Sequence, residues 1–554
     1  MYIPLELASG KLLYRDICYV YGPFPPYFNA LLYKIFSPSL YTLLAGGILT
    51  TCLASFLIYK ISRLFLNILF STFAVLTFLT VFAFGHYVYL GNYNFILPYT
   101  YAATGGLLLA LSAFYFFSLA LLKSRPRYKY LGCLFVTLAS LSKIEIGIAI
   151  AFSLAAVSVF NALAFKAKPF SKPGALINQL AFYMLIPLII SAGVYGLFLA
   201  SITKPALRNF IFDLVFLNVN SGYIFTRWMS GLSDLTVNLL IILKSSLAYL
   251  ILVIVFSAAG ALTGRITRLL AGGLLIPLVL FFINKYFPFD WQYRPLPIIL
   301  FIIMLMSICG LLRRQDPAER KNNILLLAFS LFSLMLMFRM LFFARAAHFG
   351  FYILAPGMAA YYIFFLKLIP GRLPYRINRN FYYTAFIIVF SFFILKHLGL
   401  SRFCYENRTL EISAPRGRMR VFNTARENRC RELIAYLKAN TEKESSLVVF
   451  PEGLPINFLA ERKNPLHYYT YVPINLASKG VVEDIIKEME SEKINYVALN
   501  QRDTREFGCR AFGIDYAQPI WEYIKNNYTL IKQFGPFPYT TEEFGIALFK
   551  RKAR

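Results

Sequence analysis

Acidic residues are scarce over the first 396 of this chain's 554 positions. Eight carboxylates, Glu6, Asp16, Glu145, Asp213, Asp234, Asp290, Asp316 and Glu319, stand there against 32 Lys and Arg. The remaining 158 residues hold 19 acids and 24 bases, so the chain divides near residue 397 into a basic region and a mixed-charge one. Other absences narrow the function. The seven Cys fall without C-x-x-C spacing, so no paired-cysteine motif is present. There is no glycine-rich loop of the kind that cradles nucleotide phosphates. Nor is there an internal repeat of the sort many transporters carry. His467 is the only histidine beyond residue 400, so a histidine triad or metal site there would have to be built on that one ring.

What fills the sequence is apolar. Hydrophobic residues make up 58% of the chain, mean hydropathy is +0.58, and there are 55 Phe, in blocks long enough to cross a bilayer. The formal charge of +29 would suit nucleic acid, but a basic excess is also what positive-inside loops produce. Apolar blocks lie at about 39–62, 64–84, 103–122, 131–142, 147–165, 175–201, 237–260, 269–284, 295–312, 324–343, 349–369 and 380–396. The expectation is therefore about twelve helices.

The connections alternate in character. KISR at 60, KSRPRYK at 123, KAKPFSK at 166, GRITR at 264, RRQDPAERK at 313 and KLIPGRLPYRINR at 367 are short and basic, and read as cytoplasmic. They carry 19 of the 32 bases and two of the eight acids. This parity places residues 1–38 and the C-terminal domain 397–554 on the same, outer side, with residues 39–396 in the membrane. The turn SLSKIEIG between 131–142 and 147–165 predicts a hairpin with Lys143 and Glu145 at its apex. Because residues 1–38 are expected outside with no apolar segment before them, the parity also predicts one more span upstream of Met1.

The segment GKLLYRDICYVYGPFPPYFNALLYKIF, residues 10–36, is punctuated by Gly22-Pro23, and Pro25-Pro26 suits a helix start. YFNALLYKIF then reads as an interfacial helix. The pattern G-x-x-x-Y-R-D followed by Y-G-P-x-x-P-Y-x-x-A resembles the first outer loop of the GT-C membrane glycosyltransferases, a group that includes the protein O-mannosyltransferases and lipid A aminoarabinose transferases. NFILPYTYAATGGLLLAL at Asn94 resembles their second outer loop and its helix. PEGLPINFLAERKNP at Pro451 is similar to part of the outer domain of some members.

The resemblance implies an α-helical polytopic, GT-C-like membrane protein with a small C-terminal α/β domain. It also implies residence in a bacterial inner (plasma) membrane and transfer of a sugar from a polyprenyl-phosphate donor to a lipid, glycan or protein acceptor. Membrane lipids are the other expected partner and nucleic acid is not one. No cofactor is implied, and the sequence leaves a divalent metal open. In the family an acidic pair commonly precedes the position of Tyr2. This chain begins after it, which leaves Asp16 and Glu6 as the only acids in the loop and the catalytic candidates. Such a displacement needs a carboxylate for the acceptor hydroxyl's proton and positive charge for the leaving phosphate. The plain readings are a turn carboxylate paired with Arg15 for Asp16, and a helix-surface charge for Glu6.

In FRMLFFARAAHFGFYILAPG, a helix would place Arg345, His348 and Tyr352 on one face at the outer end of a span, an arrangement that suits a phosphate or an interfacial anchor. Arg339, deeper, and Lys143 are further candidates for the donor phosphate. Glu145, Tyr93, Asn94, Tyr99 and Tyr352 are candidates to contact substrate, against the alternatives of a structural ion pair for Glu145 and an aromatic belt for the tyrosines. The last region reads as α/β: a helix near 427–440, strand SLVVF, helix VVEDIIKEMESE, strand INYVALN, a helix near 517–526 and strand GIALFKR. The resemblance makes it an acceptor-recognition or lid domain. Cys404, Cys430 and Cys509 fall outside, where one pair can bridge, and the sequence does not choose it. Two other functions stay open: a transporter or flippase for a lipid-linked sugar, and a polysaccharide polymerase or ligase. An inactive scaffold is a third.

Overall fold

The structure, a computed structural model, describes residues 1–84, 94–164, 180–201, 220–313, 316–346, 348, 350–477 and 480–553. The chain forms two compact units. One comprises Met1–Gly46, Gly193–Trp228 and Tyr405–Arg554, and the other Gly47–Ala192 and Met229–Cys404.

Among the described residues ten helices are long and apolar enough to cross a membrane: Leu40–Ser62, Tyr101–Lys123, Ile144–Asn161, Ala181–Leu199, Gly222–Gly260, Arg265–Tyr286, Asp290–Leu312, Pro317–Met340, Phe351–Arg372 and Arg379–Glu406. All twelve apolar blocks are helical over most of their described residues. The two that fall short of a span are Ile68–Ala83, whose last six residues wind as a π-helix, and the 15-residue helix Pro126–Ser140. At 1.5 Å per residue the latter reaches only about 22 Å against a hydrocarbon core of about 30 Å. It turns back within three residues into the helix Ile144–Ala164, giving the predicted hairpin. Backbone polar groups in lipid must be satisfied within the chain, which is why every block is helical. Several buried hydroxyls are satisfied by donating one turn back, as Thr51 does to the Gly47 carbonyl (2.8 Å), Ser118 to Phe114 (2.8 Å) and Ser153 to Ala149 (2.6 Å).

In the first unit, the apolar pattern of residues 24–36 becomes a 13-residue helix started by Pro25 and Pro26, with Phe28, Leu31, Ile35 and Phe36 exposed on one side. The C-terminal part holds a hairpin of β1 (Leu410–Ala414) and β2 (Gly417–Val421). It also holds a four-stranded sheet of β3 (Leu447–Phe450), β4 (Tyr496–Asn500), β5 (Tyr528–Phe534) and β6 (Ile546–Arg551) in the order β3-β4-β6-β5. Strands β3 and β4 run parallel with every residue buried, as continuous apolar runs should. Val448, Phe450, Val497, Leu499 and Phe549 meet Ile485 and Met489 of the helix Val481–Ser491, and Ile520 and Ile524 of the helix Gln518–Asn527. Strand β5 and the β1–β2 hairpin lie outside the sequence expectation. The five central residues of β5 are exposed, so the strand has no buried face to announce it.

Candidate functional site

The membrane-helical unit gathers a cluster of basic side chains around the segment 338–350. A helix through this segment would put Arg345, His348 and Tyr352 on one face, and the structure does not form one. Regular winding ends at Met337, a 3-10 turn covers Phe338–Met340, and 3-10 winding resumes only at Phe351. The cause is a sharp fold-back. The His348 N–H donates to the Arg345 carbonyl (3.0 Å), and Gly350 packs so tightly on Met340 that a Cβ there would lie 1.9 Å from the Met340 methyl. Arg345, His348 and Tyr352 therefore do not form a stripe. Tyr352 is buried edge-on against Phe95, with ring centroids 6.4 Å apart.

His348 is 2% exposed and both ring nitrogens are engaged. Nδ1 accepts from the Gly350 N–H (3.1 Å), and Nε2 lies 2.7 Å from the Met229 carbonyl oxygen, which can only accept. The proton therefore sits on Nε2 and the ring is neutral. Burial, with Arg345, Arg339 and Arg294 all acting on it, pushes His348 down to about 4. It is a fixed internal strut, not a cationic ligand.

Arg345 is placed differently. It is half-buried, its guanidinium lies 4.1 Å from the centroid of the Phe343 ring, and its Nε is buried with no hydrogen-bond partner among the described residues. The sequence reading missed Arg294, which lies against the same ring at 4.8 Å and is 3% exposed. Its Nη1 donates to Asn238 Oδ1 (3.0 Å) and to the Phe342 carbonyl (2.7 Å). An arginine at the head of an apolar helix in DWQYRPLP resembles an interfacial anchor, and only its near-complete burial sets it apart.

Beside these, the structure brings Lys143, Glu145 and Arg339 together. Glu145 Oε1 lies 3.4 Å from Arg339 Nη1 and 3.9 Å from Lys143 Nζ, so one carboxylate is shared by two cations. Lys143 is buried, whereas Arg339 and Glu145 keep about half their side-chain surface. Positive charge exceeds negative throughout this region.

The second-loop candidates separate. Asn94 is 1% exposed and builds a turn: Oδ1 accepts from the N–H groups of Ile96 (2.8 Å) and Leu97 (2.7 Å), and Nδ2 donates to the Leu97 carbonyl (3.1 Å). Gly47 makes room for that turn, since a Cβ there would lie 1.9 Å from the Ile96 carbonyl oxygen. Tyr99 is 65% exposed, and Tyr93 lies outside the described residues.

The acids of the first loop belong to the other unit. Asp16 closes a tight turn in which Tyr14 takes φ +65°. Its Oδ1 accepts from Arg15 Nε (2.8 Å), and its Oδ2 from Arg15 Nη2 (2.8 Å) and the Leu12 N–H (2.7 Å). Arg15 holds this carboxyl below its ordinary range. The turn is tied to the C-terminal domain by the Cys18 N–H on the His467 carbonyl (2.9 Å). Glu6 departs from the surface charge its sequence suggested. It is 8% exposed and pairs with Lys11 at 2.7 Å. Tyr2 brings its hydroxyl to Glu6 and accepts the Asn464 N–H at 2.6 Å. The short helix Tyr2–Ala8 turns Glu6 inward because Tyr2 packs edge-on against Tyr469, 5.3 Å away. Among the described residues no group of three or more His, Cys, Asp or Glu is placed to hold a metal ion.

No protein-family profile matches the sequence, and no curated protein matches it. Solved structures do. The chain is similar to the oligosaccharyltransferase of Archaeoglobus fulgidus in complex with zinc and sulfate, at 16% identity and TM-score 0.48, over 90% of this chain and 62% of the archaeal one. The Archaeoglobus fulgidus oligosaccharyltransferase AglB, in complex with an inhibitory peptide and a dolichol-phosphate, is similar at 14% identity and TM-score 0.47, over 98% and 69% of the two chains. ArnT from Cupriavidus metallidurans bound to undecaprenyl phosphate is similar at 11% identity and TM-score 0.44, over 99% and 92%. In the first alignment the chain spans 62% of its relative's length.

Proposed function

We propose that the chain is a membrane glycosyltransferase that moves a sugar from a polyprenyl-phosphate donor to a lipid, glycan or protein acceptor on the outer side of a bacterial inner membrane. Residues 1–38 are the first outer loop, 39–396 the membrane region and 397–554 the outer α/β domain. The acceptor oxygen attacks the anomeric carbon as the bond from that carbon to the phosphate oxygen breaks. The electron pair leaves on the phosphate, and the acceptor's proton passes to a carboxylate, with inversion at the sugar carbon. Arg345 meets the leaving phosphate, with Arg339 and Lys143 adding positive charge. Asp16 is the first candidate for the base and Glu6 the second.

The observation that carries this reading is Arg345: a guanidinium beside further cations, with a buried nitrogen that has no acceptor among the described residues. A buried donor left unmade costs about 1–3 kcal/mol, more for a charged group. A planar guanidinium suits two phosphate oxygens at once, and it acts most strongly as charge develops on the leaving group. The test is transfer from a defined polyprenyl-phosphate sugar by purified protein, normalised to folded molecules. Arg345→Ala should lower turnover by about a hundredfold or more, and Arg345→Lys should recover only part of it. Wild-type turnover in Arg345→Ala would remove the clamp.

A further inference from the structure

Three successive carbonyls at the turn before the helix Leu235–Gly260 each hold a different group. The Met229 oxygen accepts from His348 Nε2 (2.7 Å), the Ser230 oxygen from the Phe342 N–H (3.1 Å) and the Gly231 oxygen from Asn238 Nδ2 (2.9 Å). Asn238, 3% exposed, presents its other end, Oδ1, to Arg294 Nη1 (3.0 Å), and the same nitrogen donates to the Phe342 carbonyl (2.7 Å). The bonds close a ring: Phe342 N–H, Ser230–Gly231 backbone, Asn238 amide, Arg294, Phe342 carbonyl. Gly231 fits inside it at φ +83°, where a Cβ would lie 3.0 Å from Asn238 Nδ2 and 3.0 Å from the Phe343 Cβ. The ring fixes the main chain of Phe342 in both directions, three residues before Arg345, and Arg294 touches the phenyl ring on which Arg345 rests.

We infer that Arg294 and Asn238 are positioning residues for sugar transfer, which pin the segment 342–348 to the turn 229–231 and thereby aim Arg345. This rests on the reading of Arg345 as the phosphate ligand, and it goes beyond that reading by assigning roles to two residues that touch no reacting atom. A displacement of about 1 Å in such a group can cost a hundredfold in rate, so a rigid frame for it is a catalytic necessity. Two shared groups make this frame rigid: the Asn238 amide uses both ends, and one Arg294 nitrogen serves two acceptors on different elements, while Arg294 Nε has no partner among the described residues.

Because both Arg294 bonds leave from a single nitrogen, an ammonium can serve both acceptors. Arg294→Lys should therefore recover most of the turnover lost in Arg294→Met, the reverse of the behaviour expected at Arg345. In purified, folded protein assayed with a defined polyprenyl-phosphate sugar, Arg294→Met and Asn238→Ala should lower kcat by about tenfold to a hundredfold, with KM for the donor moving less. Hydrogen exchange of the same proteins in detergent gives a readout that needs no activity. Exchange across 341–350 should rise in Arg294→Met and Asn238→Ala and stay near wild type in Arg345→Ala. Unchanged exchange in both variants would overturn the inference. So would Arg294→Lys as impaired as Arg294→Met, which would make Arg294 a direct ligand. Raised exchange in the two variants, together with a wild-type protein that transfers no sugar, would leave the pinning in place and remove glycosyl transfer instead.

Discussion

His348 Nε2 lies 2.7 Å from the main-chain oxygen of Met229, a residue 119 positions earlier in the chain. That bond commits the proton to one nitrogen and the lone pair of the other to Gly350, so the ring is held neutral in a basic neighbourhood. In its ordinary state His titrates near 6.5, and here near 4. Between those values the unfolded chain binds a proton that the folded chain refuses. Stability is fully present above about pH 6.5 and is lost as the pH falls towards 4, by on the order of 3 kcal/mol. Thermal unfolding in detergent from pH 7.5 to pH 4 should show this loss, and His348→Gln should flatten it. An equal slope in the variant would assign the acid sensitivity elsewhere.

Asp16→Asn separates a base from a turn-former. The amide oxygen still accepts the Leu12 N–H, so the turn survives and the amount of folded protein should hold. Turnover per folded molecule should fall by about a hundredfold or more, the usual contribution of a positioned base. A wild-type rate would transfer the role to Glu6, to be tested in turn as Glu6→Gln.

Gly47→Ala should be structurally expensive. The new methyl would sit 1.9 Å from the Ile96 oxygen, so either the helix Leu40–Ser62 or the Asn94 turn must shift. A loss of about 1–3 kcal/mol is expected, read as a lower melting temperature in detergent. Ala at Gly371, which meets nothing within 4 Å, is the control.

Orientation can be read by chemistry on intact cells. In a Cys-free background, Ser491→Cys, exposed in the C-terminal domain, should react with an impermeant thiol reagent, and Ser124→Cys, in the first long basic connection, should not. Labelling at Ser124 alone would invert the proposed topology.

The fold was largely legible because lipid imposes one solution on each apolar run. Each of the twelve blocks is helical over most of its described residues, and even the short hairpin arm could be told from its length and its charged apex. The candidate site was legible in part. Arg345, Arg339, Lys143 and Glu145 stood out as charges beside apolar runs, and the structure groups the last three around one carboxylate. Helical spacing misled at His348 and Tyr352 because Gly350 lets the chain fold back on Met340, a tertiary contact no local period records. Glu6 was misread for a similar reason: its helix is seated by Tyr2 packing on Tyr469, more than 450 residues away. Arg294 and Asn238 carry no local signal at all. Their importance comes from a closed set of hydrogen bonds among residues distant in sequence.

Phe343 is one of 55 phenylalanines, and Phe and Leu insert into a bilayer at much the same cost, so hydropathy alone lets one stand for the other. At this position it should not. The ring faces two guanidinium groups, at 4.1 and 4.8 Å, and stands edge-on to His348 with centroids 5.5 Å apart. Leucine would keep the volume and the hydropathy but has no electron-rich face to hold a cation. Tolerance here is governed by the quadrupole of the ring and not by its greasiness, so a substitution that hydropathy scores as silent would take the aromatic face from both arginines at once.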